Sequence, residues 1–211
     1  MRRAEQGFTL VELMIVVVIL GILAAIAIPL YMKFVQQSKT GEAETNLGKI
    51  ATLAEQYYAK SGSQASTGTV TPGGSMILVS RFPNTPRTSA CAGGAGAART
   101  NEESVPRPAS ITSVQKASYQ PQINEWQCTA PGPGCPSDTA WSQMNFEISS
   151  PIRYVYCYQA NVTDAANQVF TVYATGDLDG DGIWSEWQRR GMSNVDGAVT
   201  IGPLAVTNQD E

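Results

Sequence analysis

The sequence predicts an α+β fold in which a long N-terminal α-helix packs on a C-terminal antiparallel β-sheet. Three observations predict it. Residues 13–30 form an uncharged apolar run, an amphipathic helical pattern follows to about residue 60, and β-branched and aromatic segments recur between residues 145 and 201. A helix with an apolar stripe and a sheet with an apolar face can bury each other, so residues 61–211 are predicted to form one globular head.

The apolar run is long enough to cross a membrane as a helix, for which about 18 residues is near the minimum. Arg2 and Arg3 precede the run, which predicts a cytoplasmic N-terminus and an exported C-terminal part. In a secretory signal the small residues of the cleavage site follow the apolar region, whereas here Gly7 precedes it. Cleavage between Gly7 and Phe8 would remove a leader of residues 1–7 and keep the apolar helix of residues 8–30.

Glu12 is the one charged residue within that apolar segment. A carboxylate there costs a few kcal/mol, less near the headgroups, which favours a dedicated partner. Cleavage after Gly7 would give Phe8 a free α-amine, which is cationic at neutral pH. The pair could form within one helix, or between staggered copies and so set their register. The alternative is a glutamate that reaches the headgroup region.

This N-terminal region closely resembles that of type IV pilins, over about the first 30 residues. The resemblance rests on Gly7-Phe8-Thr9-Leu10-Val11-Glu12, the apolar helix and Pro29. It implies that a prepilin peptidase cleaves at Gly7-Phe8, that Phe8 becomes N-methylated, and that Glu12 pairs with the N-terminus of an adjacent subunit. It further implies a single-pass inner-membrane precursor, inner-membrane assembly machinery, and an extracellular helical polymer of identical or homologous pilins.

The helix is predicted to run from about Phe8 to Ala59 and to stop at Ser61-Gly62-Ser63. Pro29 lacks an amide hydrogen and should kink it. Residues 31–60 form its amphipathic part. The predicted packing face consists of Ala43, Leu47, Ile50, Ala51, Ala54, Tyr57 and Tyr58. The charged residues expected on other faces are Lys39, Glu42, Glu44, Lys49 and Lys60.

Residues 61–109 are rich in Gly, Ser, Thr, Pro and Ala, which predicts loops with one short strand at 76–79. The pilin resemblance implies a variable connection here. The sheet is predicted from strands at 145–148, 152–158, 168–174 and, more weakly, 197–201, with a hairpin turn at 161–167. Tyr154, Tyr156 and Tyr158 share one strand face, which favours half-buried sheet surface over an adhesive stripe.

All four cysteines lie in the exported part, which favours two disulfides. The favoured pairing is Cys128 with Cys135, leaving Cys91 with Cys157. A zinc site is the competing interpretation, but no two cysteines have the C-x₂₋₄-C spacing typical of one.

An acidic loop at residues 177–186 resembles the first half of a Ca²⁺-binding loop, with carboxylates at alternate positions followed by glycine. The predicted ligands are Asp177, Asp179, Asp181, Ile183 through its carbonyl, and Ser185 or Glu186. Gln188 stands where a bidentate glutamate would be expected. The alternative is a solvated Asp-Gly turn, since these residues also favour turns.

Composition argues against other classes of function. The absence of histidine removes Ser-His and Cys-His nucleophiles and the commonest transition-metal ligand, which disfavours an enzyme. A net charge of −4 disfavours nucleic acid, even with Arg189 and Arg190 adjacent.

The resemblance to type IV pilins therefore implies a structural pilus subunit that supports adhesion or twitching motility. No cofactor is required, and Ca²⁺ is the candidate ion. The alternatives are a minor pilin, a pseudopilin of type II secretion, or a Ca²⁺-stabilised adhesin head on a pilin anchor.

Overall fold

A computed structural model describes residues 9–61, 80–88, 90–94, 96–127, 138–164 and 167–208. The chain divides into two compact units, residues 1–41 and residues 42–211. Helix α1, Leu10–Ser61, begins in the first unit and ends in the second. The strand predicted at 76–79 lies outside the described residues.

Within the first unit, α1 is an apolar rod. The large hydrophobic side chains from Leu10 to Phe34 are 50–74% exposed, so none of them is part of a core. By length and composition alone, α1 is the one described helix that could cross a membrane. Pro29 lies inside α1, and the kink expected there stays a prediction.

The second unit contains one antiparallel sheet. Its strands are β1 (Val155–Asn161), β2 (Val169–Gly176), β3 (Ser185–Ser193), β4 (Val199–Ile201) and β5 (Ala205–Thr207). Neighbours follow the order β1-β2-β3-β4, and β5 also pairs with β3. The β1–β2 hairpin joins the first two strands as predicted, with Cys157 opposite Tyr173. These elements confirm the predicted α+β class.

The core of this unit lies between the C-terminal part of α1 and one face of the sheet, here called the inner face. The helix contributes Ala43, Leu47, Ile50, Ala51, Ala54 and Tyr58, all buried. The inner face contributes Tyr154, Tyr156, Tyr158, Phe170, Val172, Ala174 and Trp187. The three tyrosines are 0% exposed, which confirms the core interpretation of their stripe.

Three short helical elements precede the sheet: a 3₁₀ helix at Pro108–Val114, α2 at Ile123–Trp126 and α3 at Ala140–Met144. Helices α2 and α3 add Trp126 and Trp141 to the core, whereas Val114 of the 3₁₀ helix packs in a separate cluster. The ring of Trp126 packs edge-on against Trp141 at 5.2 Å between centroids and against Phe146 at 5.3 Å. Such contacts add to the area that the rings bury. None of these helices was predicted from the sequence.

The strand predicted at 145–148 is wrong. Asn145 has φ 51°, a left-handed conformation, and it is the C-cap that ends α3. Asparagine tolerates this conformation better than most residues. Phe146 then enters the aromatic cluster, 4% exposed. The apolar residues of 145–148 therefore reflect insertion into a core and not pairing in a sheet.

Strand β3 was not predicted either, because its inner-facing residues are not uniformly apolar. Trp187, Arg189 and Gly191 follow one another on that face, so an arginine and a glycine interrupt the run of apolar residues that would predict a strand. A Cβ atom at Gly191 would lie 2.2 Å from Cε1 of Phe170. Glycine is therefore required where β3 passes under the Phe170 ring.

We predict that Gly191→Ala lowers the free energy of unfolding by about 1–3 kcal/mol, as overpacking a core does. The measurement is urea unfolding of the full chain in detergent, followed by tryptophan fluorescence. Gly94→Ala is the matched control, because no atom lies within 4 Å of a Cβ built there. Equal stabilities for the two variants would show that the Phe170 ring moves away without cost.

Candidate functional site

The N-terminal end of α1 contains a reciprocal capping interaction between Thr9 and Glu12. The Thr9 backbone N–H donates to Oε2 of Glu12 at 2.9 Å, and the Thr9 hydroxyl donates to the same oxygen at 2.8 Å. The Glu12 backbone N–H donates in turn to Oγ1 of Thr9 at 3.3 Å. This is a capping box, which satisfies N–H groups that the first helical turn leaves unpaired.

The capping box places the Glu12 carboxylate at the positive end of the helix dipole, where a negative charge is favoured. Thr9 and Glu12 have the Thr-x-x-Glu spacing that signals this motif, a cue in the sequence that the prediction of the helix start did not include. Gly7 and Phe8 lie outside the described residues, so the cleavage site, the N-methylation and the pairing of Glu12 with the Phe8 amine stay predictions.

A disulfide joins Cys91 to Cys157 in the second unit, across 66 residues of sequence. It ties the segment before the 3₁₀ helix to β1, on the outer face of the sheet beside Tyr173. This is the pairing that the sequence favoured for these two cysteines, and it makes neither of them a zinc ligand. Cys128 and Cys135 lie outside the described residues.

The acidic loop connects β2 to β3. One carboxylate oxygen from each of Asp177, Asp179 and Asp181 lies within 4.8 Å of the others. Asp177 is buried and accepts hydrogen bonds from the backbone N–H of Gly180 at 2.6 Å and of Gly182 at 3.1 Å. Both glycines have positive φ, 81° and 92°, which the tight loop requires.

The other predicted calcium ligands have different partners. The Ser185 hydroxyl donates to the Gly176 carbonyl at 2.8 Å, and the Glu186 carboxylate forms an ion pair with Arg99 at 2.9 Å. The three aspartates fit a hard divalent cation by their chemistry, but such ions take six to eight oxygens. As arranged, Ser185 and Glu186 do not complete that set of ligands, because Ser185 is hydrogen-bonded to Gly176 and Glu186 is paired with Arg99.

A comparison with family models finds the prokaryotic N-terminal methylation motif over residues 2–28. That range contains Gly7, Phe8, the capping box and the apolar half of α1. Over residues 2–28 the chain is therefore similar to the N-terminal segment of type IV pilins. This segment is a small part of the chain, and the match does not extend into the head.

Curated relatives show the same similarity. The chain is 54% identical over 56 residues to the type IV major pilin protein PilA of Myxococcus xanthus, covering 26% of this chain and 26% of that protein. It is 39% identical over 97 residues to the type IV major fimbrial protein FimA of Dichelobacter nodosus, covering 46% and 62%.

A third relative, the type IV major alpha-pilin of Moraxella bovis, is 48% identical over 59 residues, which is 27% of this chain and 37% of that protein. In each of the three cases the match spans less than two thirds of the relative's length. No solved structure matches the chain significantly.

Besides Asp177 and Glu186, the described part of the head contains the partly buried Glu42 and the buried Glu103. Glu42, which the sequence placed on a charged face, accepts hydrogen bonds from the Arg153 backbone N–H and the Tyr156 hydroxyl, both at 3.1 Å. Asn46 donates to the same hydroxyl at 2.8 Å. Burial raises the pKa of Glu42, against the opposing effect of these hydrogen bonds. Glu42 thus links α1 to β1.

The carboxylate of Glu103 is also buried, since this residue is 5% exposed. One oxygen accepts from the Thr85 hydroxyl, and the other accepts from the Ala140 N–H, at the start of α3, at 2.9 Å. The indole N–H of Trp141 donates to the Glu103 backbone carbonyl at 2.6 Å. Burial raises the pKa of Glu103. No periodicity marked this residue, since it lies in a loop.

We predict that Glu103 makes the head less stable as the pH rises. Its pKa is raised above 4.5 by folding, so the folded state binds the proton more tightly than the unfolded state. The stabilisation is complete below about pH 4.5 and is lost as the pH rises through the folded pKa. Glu103→Gln should therefore reduce the gain in unfolding free energy between pH 7 and pH 5. Each tenfold difference in proton affinity between the folded and unfolded states contributes about 1.4 kcal/mol to that gain.

The measurement is urea unfolding of the full chain in detergent at both pH values. Glu102→Gln is the matched control, because its side chain is 72% exposed. The same pH dependence in wild type and Glu103→Gln would contradict the prediction.

Proposed function

We propose that the chain is a structural subunit of a type IV pilus, processed at Gly7-Phe8 and polymerised through α1. The observation that supports this most strongly is the methylation motif on an exposed apolar helix whose first turn is capped by Glu12. The names of the relatives, which are major pilin and fimbrial proteins, support the same role.

The proposed mechanism is the transfer of α1 from lipid to a helical bundle. In the membrane, lipid covers the apolar side chains of residues 10–34. In a filament, equivalent helices of other subunits cover them, so the apolar surface stays out of water throughout. An ion pair in a dry environment is much stronger than in water, so pairing of Glu12 with the Phe8 amine of a neighbour would select one register.

The proposed partners are other pilin subunits, the prepilin peptidase and the inner-membrane assembly machinery. The precursor would be a single-pass inner-membrane protein with a cytoplasmic N-terminus, and the assembled form would be extracellular. Adhesion and twitching motility are the processes that such a fibre would support. We propose no enzymatic activity, because pilins serve as structural subunits.

A minor pilin or a type II secretion pseudopilin is the second candidate role. The names of the relatives include the word "major", which favours the abundant subunit. Quantitative mass spectrometry of sheared fibres decides between the roles. A chain that forms most of the fibre mass is a major pilin, whereas a trace amount indicates a minor subunit.

We predict that Glu12→Ala and Glu12→Gln both permit export and cleavage but yield few or no filaments. Glutamine at this position can keep the capping box, whereas alanine cannot, so Glu12→Gln removes the charge and retains the cap. If charge pairing sets the register, both variants fail. Electron microscopy counts the filaments, and N-terminal sequencing checks the cleavage.

Thr9→Ser is the control, because serine also serves as an N-cap. It should assemble normally. Normal piliation by Glu12→Gln together with failure of Glu12→Ala would assign the role of Glu12 to the cap and would overturn charge pairing.

We also propose that the acidic loop binds Ca²⁺ through Asp177, Asp179 and Asp181, with Ile183 contributing its carbonyl and water completing the shell. The convergence of three carboxylates within 4.8 Å supports this. A bound ion would stabilise the connection between β2 and β3 and would favour a Ca²⁺-stabilised adhesive head.

The expected result is a rise in the melting temperature of the full chain with Ca²⁺ and a fall with chelator. A ligand at 100 times its dissociation constant adds about 2.7 kcal/mol to the folded state. Asp181→Asn should abolish the rise, and Asp196→Asn, an exposed acid outside the loop, should keep it. An unchanged melting temperature in the wild type would remove Ca²⁺ from the proposal.

A further inference from the structure

A cleft of about 730 Å³ opens on the outer face of the sheet, at the turn end of the β1–β2 hairpin. Gln159 pairs with Thr171 and Asn161 with Val169, so these four side chains share that face, opposite to the core. The other wall is formed by Arg81, Asn84, Thr88 and Ala90. The volume lies within the range of about 300–1,000 Å³ that is typical of small-molecule sites.

Hydrogen bonds and the disulfide hold the second wall in place. The Arg81 backbone N–H donates to the Ser61 hydroxyl at 2.8 Å, and that hydroxyl is 3.0 Å from the Arg81 carbonyl. Asn84 and Gln143 exchange two further hydrogen bonds. Cys91, next to Ala90, is fixed to β1 by its disulfide. The cleft is therefore formed before any ligand arrives, which lowers the entropic cost of binding.

Three carboxamides line the cleft, and each has its oxygen already engaged. Oε1 of Gln159 accepts from the Cys91 N–H at 2.7 Å, and Oδ1 of Asn161 accepts from the Thr163 N–H at 3.1 Å. Oδ1 of Asn84 accepts from the Thr88 hydroxyl at 2.7 Å. A carboxamide has two N–H donors besides its oxygen. Among the described residues, nothing accepts from these three NH₂ groups, so the cleft offers donors.

The charge of the residues that line the cleft also favours a ligand with hydrogen-bond acceptors. Arg81 is the one charged residue among the described residues that line the cleft, although the whole chain has a net charge of −4. A guanidinium binds a carboxylate with matched, bidentate geometry. Val169 places a small aliphatic side chain on the same face as Asn161, whereas Ala160 and Val162 line the cleft but pack against the core. The complementary ligand is rich in acceptors, carries a carboxylate and has small apolar patches.

We propose that this cleft binds an acidic saccharide, a sugar chain that contains a uronic acid. Hydroxyl and ring oxygens would accept from the three NH₂ groups, the carboxylate would pair with Arg81, and the C–H groups of the ring would lie on Val169. A nucleic acid fits less well, because a single cation neutralises little of a polyanion. The proposal does not depend on filament assembly, since every lining residue belongs to one head.

The test is isothermal titration calorimetry of the full chain in detergent micelles. The probes are trigalacturonate, the neutral sugar maltotriose and inorganic phosphate. Trigalacturonate should bind, and the other two should bind at least about tenfold more weakly, since each lacks either the carboxylate or the hydroxyl array. Arg81→Gln should weaken trigalacturonate binding about tenfold, as the loss of a charge-assisted hydrogen bond does.

Arg107→Gln removes the same charge outside the cleft and should change the affinity less than about twofold. Asn161→Asp replaces a donor by a carboxylate and should weaken binding more than about tenfold. Arg81 is exposed, so its replacement should leave the fold intact and decides the matter if Asn161→Asp fails to fold. No binding at about 10 mM trigalacturonate, equal binding of maltotriose or phosphate, or equal effects of Arg81→Gln and Arg107→Gln would each overturn the proposal.

Discussion

The head depends on one packing interaction. The apolar residues of α1 from Ala43 to Tyr58 are buried against the inner face of the sheet, where Tyr154, Tyr156 and Tyr158 lie. Either apolar surface alone would be exposed to water, and each removes the other from water when the two pack together. Polar links fix the alignment: Asn46 donates to the Tyr156 hydroxyl, and Glu42 accepts from it. The buried hydroxyl is thereby satisfied, which avoids the cost of an unpaired polar group. The outer face of the sheet is left for the disulfide and the cleft.

The fold was predictable where apolar residues recur at helix or strand spacing because they face the core. The stripe of α1 and the three tyrosines repeat at helix and strand spacing, and both lie in the core. Strand β3 was not predictable, because Arg189 and Gly191 occupy inner-facing positions, and glycine is needed at 191 only because the Phe170 ring lies close to it. Residues 145–148 misled for the opposite reason: they are apolar enough for a strand but form the end of α3 and a core insertion.

In the candidate site, local motifs were predictable from the sequence and long-range contacts were not. The methylation motif is local, so Gly7, Phe8 and Glu12 could be proposed from their order alone. The convergence of the three aspartates was predictable from alternation, since it arises within one tight loop. The engagement of Glu186 by Arg99 joins residues 87 positions apart, and the burial of Glu103 depends on α3. Long-range contacts of this kind have no signature in a single sequence.

The geometry of the capping box has a consequence for the proposed assembly. Both hydrogen bonds from Thr9 reach the same oxygen of Glu12, Oε2. A carboxylate has two oxygens, each able to accept more than one donor. Oε1 of Glu12 can therefore receive a donor from another molecule while Oε2 keeps the first turn of its own helix intact. Docking of a neighbour would then leave the first turn of the receiving helix intact. The Glu12 side chain would cap its own helix through Oε2 and bind the neighbouring subunit through Oε1.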